Sequence, residues 1–250
     1  MASMTSLGSP MAPSGFQCRW LVPGKDGNAV RSAFLKAAFL AVVLIGAGAV
    51  AQAQTEYLPP SGKGPVIVVI SGQSGPAHYD SSAKKIAGLG YDVTLLDGNA
   101  MRGRGTALKA AIQKAQSSTH ALPGKVAVVG FSLGGGVALA FASRWSDLVA
   151  TVVAWYPATK FIRDVQSFAG RITVPVLMFV GEQDHSGNCC LADTAKALAS
   201  AASAAGTPLE VITYPGADHA FNFPGRTYDA QATSDSWQRA TARLAQSLNQ

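Results

Sequence analysis

The stretch VAVVGFSLGGGVALAFA, residues 126–142, decides how this chain is read. An apolar run reaches Gly130, a single serine stands between Phe131 and Leu133, and a small-residue apolar run follows. Three readings compete: a turn that presents a nucleophilic serine, a glycine loop that cradles a phosphate, or close backbone packing with no chemistry. Gly130-Phe131-Ser132-Leu133-Gly134 matches G-x-S-x-G directly after a strand pattern and directly before a helix pattern. A serine on so tight a turn needs glycine two residues to either side, because larger side chains there collide with neighbouring backbone. The phosphate reading fails, since the chain has no G-x-G-x-x-G and a Walker pattern counted from Gly130 places Gly136 where lysine is required.

Outward from this stretch, apolar β-branched runs recur at 65–71, 91–97, 125–130, 148–156, 174–181 and 208–214. Their hydrophobicity is nearly continuous, as expected of strands buried on both faces. The segments 77–89, 104–117, 133–145, 190–205 and 229–248 between and after them read as helices. Alternation on this spacing predicts an α/β fold, with a mainly parallel sheet of about six or more strands and helices on both faces. The short span between the second and third runs leaves room for only a minimal cap, so an open site is expected. Residues 54–63 read as an extended lead-in.

The N-terminal part reads differently. Residues 34–53, FLKAAFLAVVLIGAGAVAQA, carry an apolar run headed by Arg31 and Lys36 and closed by Ala51-Gln52-Ala53, which fits the small-x-small rule for signal cleavage. Its uninterrupted core, 37–51, is 15 residues, short of the ~20 that span a bilayer. Residues 1–53 are therefore assigned to an N-terminal extension and signal peptide, with a compact signal beginning near Val30, and 54–250 to a single domain. Secretion, to the periplasm, is expected, with no stable membrane insertion after cleavage near Ala53. The remaining part holds 16 basic and 13 acidic side chains, a net charge of +3. Its basic residues are scattered, so nucleic acid is not indicated as a partner. Of three cysteines, only Cys189 and Cys190 lie after residue 53. A lone adjacent pair forms no disulfide framework. It either closes a strained eight-membered ring or packs as two small side chains at a helix start.

In a parallel sheet, sites form beyond the carboxyl ends of the strands. A serine needs a base to take its proton, and the base needs an acid to orient it. Asp184 follows VPVLMFVG and His219 follows LEVITY, giving the chain order serine, acid, histidine that this architecture asks for. Ser132, Asp184 and His219 are thus the predicted catalytic residues. The backbone N–H groups of Leu133 and of Gln73, in the loop SGQSGP, are predicted to form the oxyanion hole. His78, Tyr156, His185 and Phe223 stand where they can contact substrate. Glu182 and Asp218, the rival acids, read as loop polar groups, and His120 falls at the opposite end of the sheet.

With these residues in place, the chain resembles the dienelactone hydrolase family. The segment YPGADHAFNFPGRTYDAQATSDSWQRATARLAQSL, residues 214–248, is similar to the end of those proteins, and VGFSLGG and PVLMFVGEQD fit the same pattern. The similarity is read over nearly all of 64–250. It implies an α/β-hydrolase fold, the same triad and oxyanion hole, and no metal or organic cofactor. Three departures accompany it. Ser132 stands where the archetypal enzymes carry cysteine, Gly72 where they hold a glutamate, and Phe223 where an arginine binds the dienelactone carboxylate; Arg102, Arg104 and Arg226 are the candidate substitutes. The expected function is hydrolysis of a small-molecule ester, lactone or related acyl substrate through an acyl-enzyme on Ser132. A peptidase or thioesterase on the same fold, and a non-catalytic binding protein, are the alternatives.

Overall fold

The computed structural model describes residues 54–248, so the proposed signal segment lies outside the described residues. Seven strands form one sheet: β1 (Thr55–Tyr57), β2 (Val66–Ile70), β3 (Asp92–Leu96), β4 (Val126–Phe131), β5 (Val149–Trp155), β6 (Val176–Gly181) and β7 (Leu209–Tyr214). Their spatial order is β1-β3-β2-β4-β5-β6-β7. All neighbours are parallel except β1, which runs antiparallel to β3. The lead-in expected over 54–63 is therefore corrected: its first residues pair with the sheet edge, Thr55 opposite Leu95 and Tyr57 opposite Val93.

The apolar runs are continuous because alternate residues enter two separate cores. Val66, Val68 and Ile70 of β2 face one core, while Ile67 and Val69 face the other. The first core is covered by α3 (Gly105–Gln116), α4 (Leu133–Ala140), α5 (Val165–Ala169) and α6 (Ala192–Ala205). The second is covered by α1 (Pro76–Ala87) and α7 (Ala230–Leu248). The short helices α2 (Gly98–Met101) and α5 were not predicted, and α4 stops at Ala140 instead of running to 145. No inserted cap domain interrupts the described strand and helix order, and no described helix is long and apolar enough to cross a membrane.

The chain runs from β2 to β3 on one side, then crosses to β4 on the other, so the sheet order reverses between β2 and β4. Loops at such a switch diverge and leave a crevice at the carboxyl ends of the strands. A groove of about 1050 Å³ opens at the other end of the sheet between Pro65, Leu122, Pro175 and Arg243, away from that crevice.

Asp92, at the start of β3, is 1% exposed and neither carboxyl oxygen has a hydrogen-bond partner. Burial, and after it the neighbouring Glu56 carboxylate, pushes its pKa up. A raised acid pKa means the folded state binds the proton more tightly, so this contribution is present below the unfolded value and lost as pH rises through the folded one. Asp92→Asn, which removes the uncompensated charge, is expected to stabilise the protein at neutral pH by about 1–3 kcal/mol. Thermal unfolding against pH should show that gain shrinking as the solution is acidified.

Candidate active site

The strand β4 delivers Phe131 into the second core and turns sharply at Ser132, whose φ of 49° lies in the left-handed region. A Cβ at Gly130 would strike the Gly134 carbonyl and Gly135 backbone, and one at Gly134 would strike the carbonyls of Ile70 and Ser71. These glycines let α4 begin directly against the ends of β2 and β4. Gly135 and Gly136 serve a different neighbour, since their added Cβ atoms would meet Pro157 and Ala158 just beyond β5. The Ser132 carbonyl accepts from Gly136 N–H at 3.0 Å and from Ala158 N–H at 2.9 Å, which fastens the turn to its helix and to the β5 loop.

Around this turn the structure assembles three of the predicted residues. His219 Nε2 lies 3.0 Å from Ser132 Oγ, and His219 Nδ1 lies 2.7 Å from Asp184 Oδ2. A carboxylate only accepts, so Nδ1 donates to Asp184 and Nε2 is left to accept from the serine hydroxyl. The Asp184 side chain is fully buried, and its second oxygen accepts from Ser186 N–H at 3.0 Å. A buried carboxylate with both oxygens engaged keeps a fixed direction, which is what an orienting acid requires. The loops carrying acid and base are also joined: Gln183 N–H donates to the Ala217 carbonyl at 2.9 Å, and Glu182 N–H to the Tyr214 carbonyl. Glu182 itself pairs with Lys196, and Asp218 accepts from the His219 backbone N–H, so both rivals are occupied elsewhere.

The remaining predictions divide. Leu133 begins α4, so its N–H is one of the four that a helix N-terminus leaves without an intrahelical acceptor. Gln73 follows Gly72 in the loop after β2, and its carbonyl accepts from Asn99 Nδ2 at 3.0 Å. His78 is exposed on α1 with its ring 4.5 Å from that of Phe223. Phe223 is 9% exposed and also contacts the rings of Tyr79 and Phe131. His185 is exposed on the loop beyond Asp184. Tyr156 corrects the expectation of a substrate contact: it is fully buried, its hydroxyl donates to Asn222 Oδ1 at 2.6 Å, and its ring meets that of His219 edge-on at 4.9 Å. It supports the imidazole from beneath.

The departures from the family pattern have visible neighbours. A Cβ at residue 72 would meet the Tyr79 hydroxyl and press on the Ser132 Cβ, so a larger residue there requires the Tyr79 ring to move. Burial pushes the Tyr79 hydroxyl up to about 12, keeping a neutral phenol in that space. At Phe223 an aromatic wall replaces the guanidinium, while Arg104 and Arg226 are exposed and Arg102 is half-buried.

Sequence reasoning missed Asn99, Ser186 and Asn222, whose roles rest on loop geometry. It left Cys189 and Cys190 open, and the structure joins them in a disulfide. Asp184, His219 and Cys190 each bring a polar or sulfur atom to within 4.8 Å of the others.

The sheet order and helix layers define an α/β-hydrolase fold with a serine, histidine and carboxylate at the strand ends. The chain belongs to the dienelactone hydrolase family, whose family model matches residues 96–248. That match is shorter than the similarity expected over 64–250; β1 and β2 lie outside it. A Yersinia pestis protein named "Putative carboxymethylenebutenolidase" is 35% identical over 124 residues, which cover 46% of this chain and 44% of that protein. The match thus spans less than half the length of that relative. Among solved structures, the chain is similar to the "Putative Dienelactone Hydrolase" of Klebsiella pneumoniae (TM-score 0.67, 22% identity, 77% of this chain and 92% of that one). It is also similar to a dienelactone hydrolase-like promiscuous phosphotriesterase from metagenomic libraries (TM-score 0.65, 21% identity, 78% and 92%). At these identities the structural likeness carries the fold.

Gly134 tests whether the close approach of α4 organises the site. Gly134→Ala is expected to lower stability by about 3 kcal/mol or more, because the added methyl meets backbone carbonyls that cannot rotate away. Denaturant unfolding, with Gly103→Ala at a position open around the added carbon but strained by its φ of 66° as comparison, measures the difference.

Proposed function

We propose that this protein is a serine-dependent hydrolase of carboxylic esters or lactones. The observation that carries the reading is the chain of contacts from Ser132 Oγ to His219 Nε2 at 3.0 Å and from His219 Nδ1 to Asp184 at 2.7 Å. As the Ser132 oxygen attacks the substrate carbonyl, His219 Nε2 takes its proton, and Asp184 holds the ring and stabilises the imidazolium that forms. The developing oxyanion receives the N–H groups of Leu133 and Gln73, the first of them at a helix N-terminus whose dipole favours negative charge. The imidazolium then protonates the leaving oxygen. Water, deprotonated by the same nitrogen, attacks the acyl-enzyme and releases Ser132.

The names carried by the relatives, a carboxymethylenebutenolidase among them, support an ester or lactone as substrate class. Phe223, His78 and Tyr79 form an aromatic wall without a cation. A neutral aryl or alkyl ester fits it better than a carboxylate-bearing lactone. No metal or organic cofactor enters these steps. We further propose that the protein acts outside the cytoplasm, in the periplasm, after cleavage near Ala53; the N-terminus of the exported protein, read by mass spectrometry, is expected at Gln54.

A fluorophosphonate probe is expected to label Ser132 and to leave Ser132→Ala unlabelled. Asp184→Asn should lower kcat by about 10³–10⁴ through loss of ring orientation. A panel of p-nitrophenyl esters, lactones, acyl thioesters and peptide anilides, assayed on wild type, fixes the acyl class. Turnover confined to peptide anilides would replace the esterase reading with a peptidase. Undiminished labelling or turnover in Ser132→Ala would remove the serine mechanism.

A further inference from the structure

We propose that the Cys189–Cys190 disulfide is a positioning element for the Asp184–His219 pair, and that thiol–disulfide exchange at this bond controls the hydrolase site. The inference rests on the serine hydrolase reading above and adds its regulation.

The disulfide forms a small ring of two adjacent residues at the end of the short loop that aims the acid. Within that loop, Ser186 N–H donates to Asp184 Oδ1 at 3.0 Å, Asn188 N–H to the His185 carbonyl at 3.2 Å, and Cys189 N–H to the Ser186 carbonyl at 3.0 Å. Gly187 and Asn188 both have positive φ, 53° and 50°, so the chain is bent back sharply just before the cysteines. The Cys189 carbonyl then accepts from Thr159 N–H at 2.7 Å and Lys160 N–H at 3.0 Å on the loop after β5. That loop holds the Ser132 carbonyl through Ala158 and begins at Tyr156, the residue beneath His219. One covalent ring thus secures the junction of the acid loop with the loop that supports both serine and histidine.

Its position also makes the bond's state matter to the acid. Cys190 is 1% exposed, and its sulfur lies within 4.8 Å of a carboxylate oxygen of Asp184 and of a ring nitrogen of His219. Cys189, half-buried, is the more accessible of the two residues. Neighbouring cysteines have Cα atoms 3.8 Å apart, closer than the about 4.4–6.8 Å of ordinary disulfides. Strained or accessible disulfides are the labile ones.

The exchange balances with a dithiol as reductant. A thiolate of the dithiol attacks Cys189 Sγ and forms a mixed disulfide, while the Cys189–Cys190 bond breaks and Cys190 leaves as a thiolate that takes up a proton. The second thiol of the reductant attacks the mixed disulfide and frees Cys189. Two electrons have passed from the dithiol, now a disulfide, to the cysteine pair. Once protonated, the Cys190 thiol is buried within 4.8 Å of an Asp184 oxygen. Its S–H is then free to turn onto Asp184 and compete with His219, while the opened ring releases the loop.

The test compares the purified full chain before and after dithiothreitol, with alkylation and peptide mass mapping to count thiols at Cys189 and Cys190. Reduction is expected to lower kcat for a p-nitrophenyl ester about ten-fold or more, as for a misplaced catalytic group, with KM nearly unchanged and activity restored by diamide. Cys189→Ser/Cys190→Ser should show the low kcat and no response to dithiothreitol, at a temperature well below its unfolding. A readout independent of turnover is the low-field Nδ1 proton of His219 in the NMR spectrum, identified by its loss in Asp184→Asn; it should broaden or shift on reduction. Alkylation of both cysteines without reductant overturns the inference, as do equal kcat and an unmoved proton signal in the two redox forms. Absence of turnover and of fluorophosphonate labelling in both forms overturns the hydrolase reading instead, and the proton signal still decides the positioning claim.

Discussion

The structure depends on one close approach: the first turn of α4 lies directly against the ends of β2 and β4, at distances that admit only glycine at Gly130 and Gly134. Because the helix starts so near the sheet, Ser132 has no relaxed conformation available and takes φ 49°. Gly98 obeys the same constraint from the β3 side, since a Cβ there would strike the Ser71 carbonyl. The loops after β2, β3 and β4 are therefore stacked closely, with Ser71 Oγ accepting from Gly98 N–H at 3.0 Å and Asn99 Nδ2 donating to the Gln73 carbonyl at 3.0 Å. Non-glycine residues at positive φ cost about 1–3 kcal/mol each and persist where surrounding structure determines them. Among the described residues four occur, Ser132, Tyr156, Asn188 and Ala220, and all sit in loops past the carboxyl ends of β4, β5, β6 and β7. The strain is gathered at the site and held there by a sheet whose central strands are fully buried.

Electrostatics then assigns the positions around the turn. Asp184 is the carboxylate whose side chain is fully withdrawn from water at the site, and it is also the one with both oxygens satisfied by the base and by a backbone N–H. Glu182 and Asp218 are more exposed and spend their charge on Lys196 and on a backbone group. The difference follows from loop geometry: Gln183 N–H reaches the Ala217 carbonyl, which draws the acid loop under the histidine loop and turns Asp184 inward. A Cβ at Gly181 would strike that same carbonyl, so the glycine ending β6 permits the approach.

The sheet was legible because every central strand is buried on both faces, which writes itself as an unbroken apolar run such as VIVVI or VLMFVG. The meeting of Ser132, Asp184 and His219 was legible because topology fixes where each strand ends and chemistry limits which residues can follow. β1 was not: three residues, TEY, carry no periodicity, and their strand state comes from pairing with the β3 edge. Tyr156 was misjudged for a related reason. Its place after β5 put it at the site, but whether the ring faces substrate or lies beneath His219 depends on a positive φ that sequence does not display. Gly72 and Phe223 were read as departures from a family pattern, and their compensation by Tyr79 and His78 appears only once α1 is packed over the loop.

Tyr79 shows how such compensation shapes chemistry. A carboxylate at residue 72 would place negative charge beside the nucleophile, where it can interact with a thiol. With glycine there, the space belongs to a phenol that burial keeps neutral. On the proposed serine mechanism the proton goes to His219 and the developing charge needs donors, so an acid in that place would oppose the oxyanion. Serine at 132, glycine at 72 and tyrosine at 79 therefore form a set consistent with the proposed mechanism: a hydroxyl beside His219, no carboxylate at residue 72, and a buried phenol whose hydroxyl occupies that space. Phe223 extends the same logic outward, because on the proposed mechanism an aromatic ring in place of a cation leaves the N–H groups at the start of α4 as the positive end that faces the oxyanion.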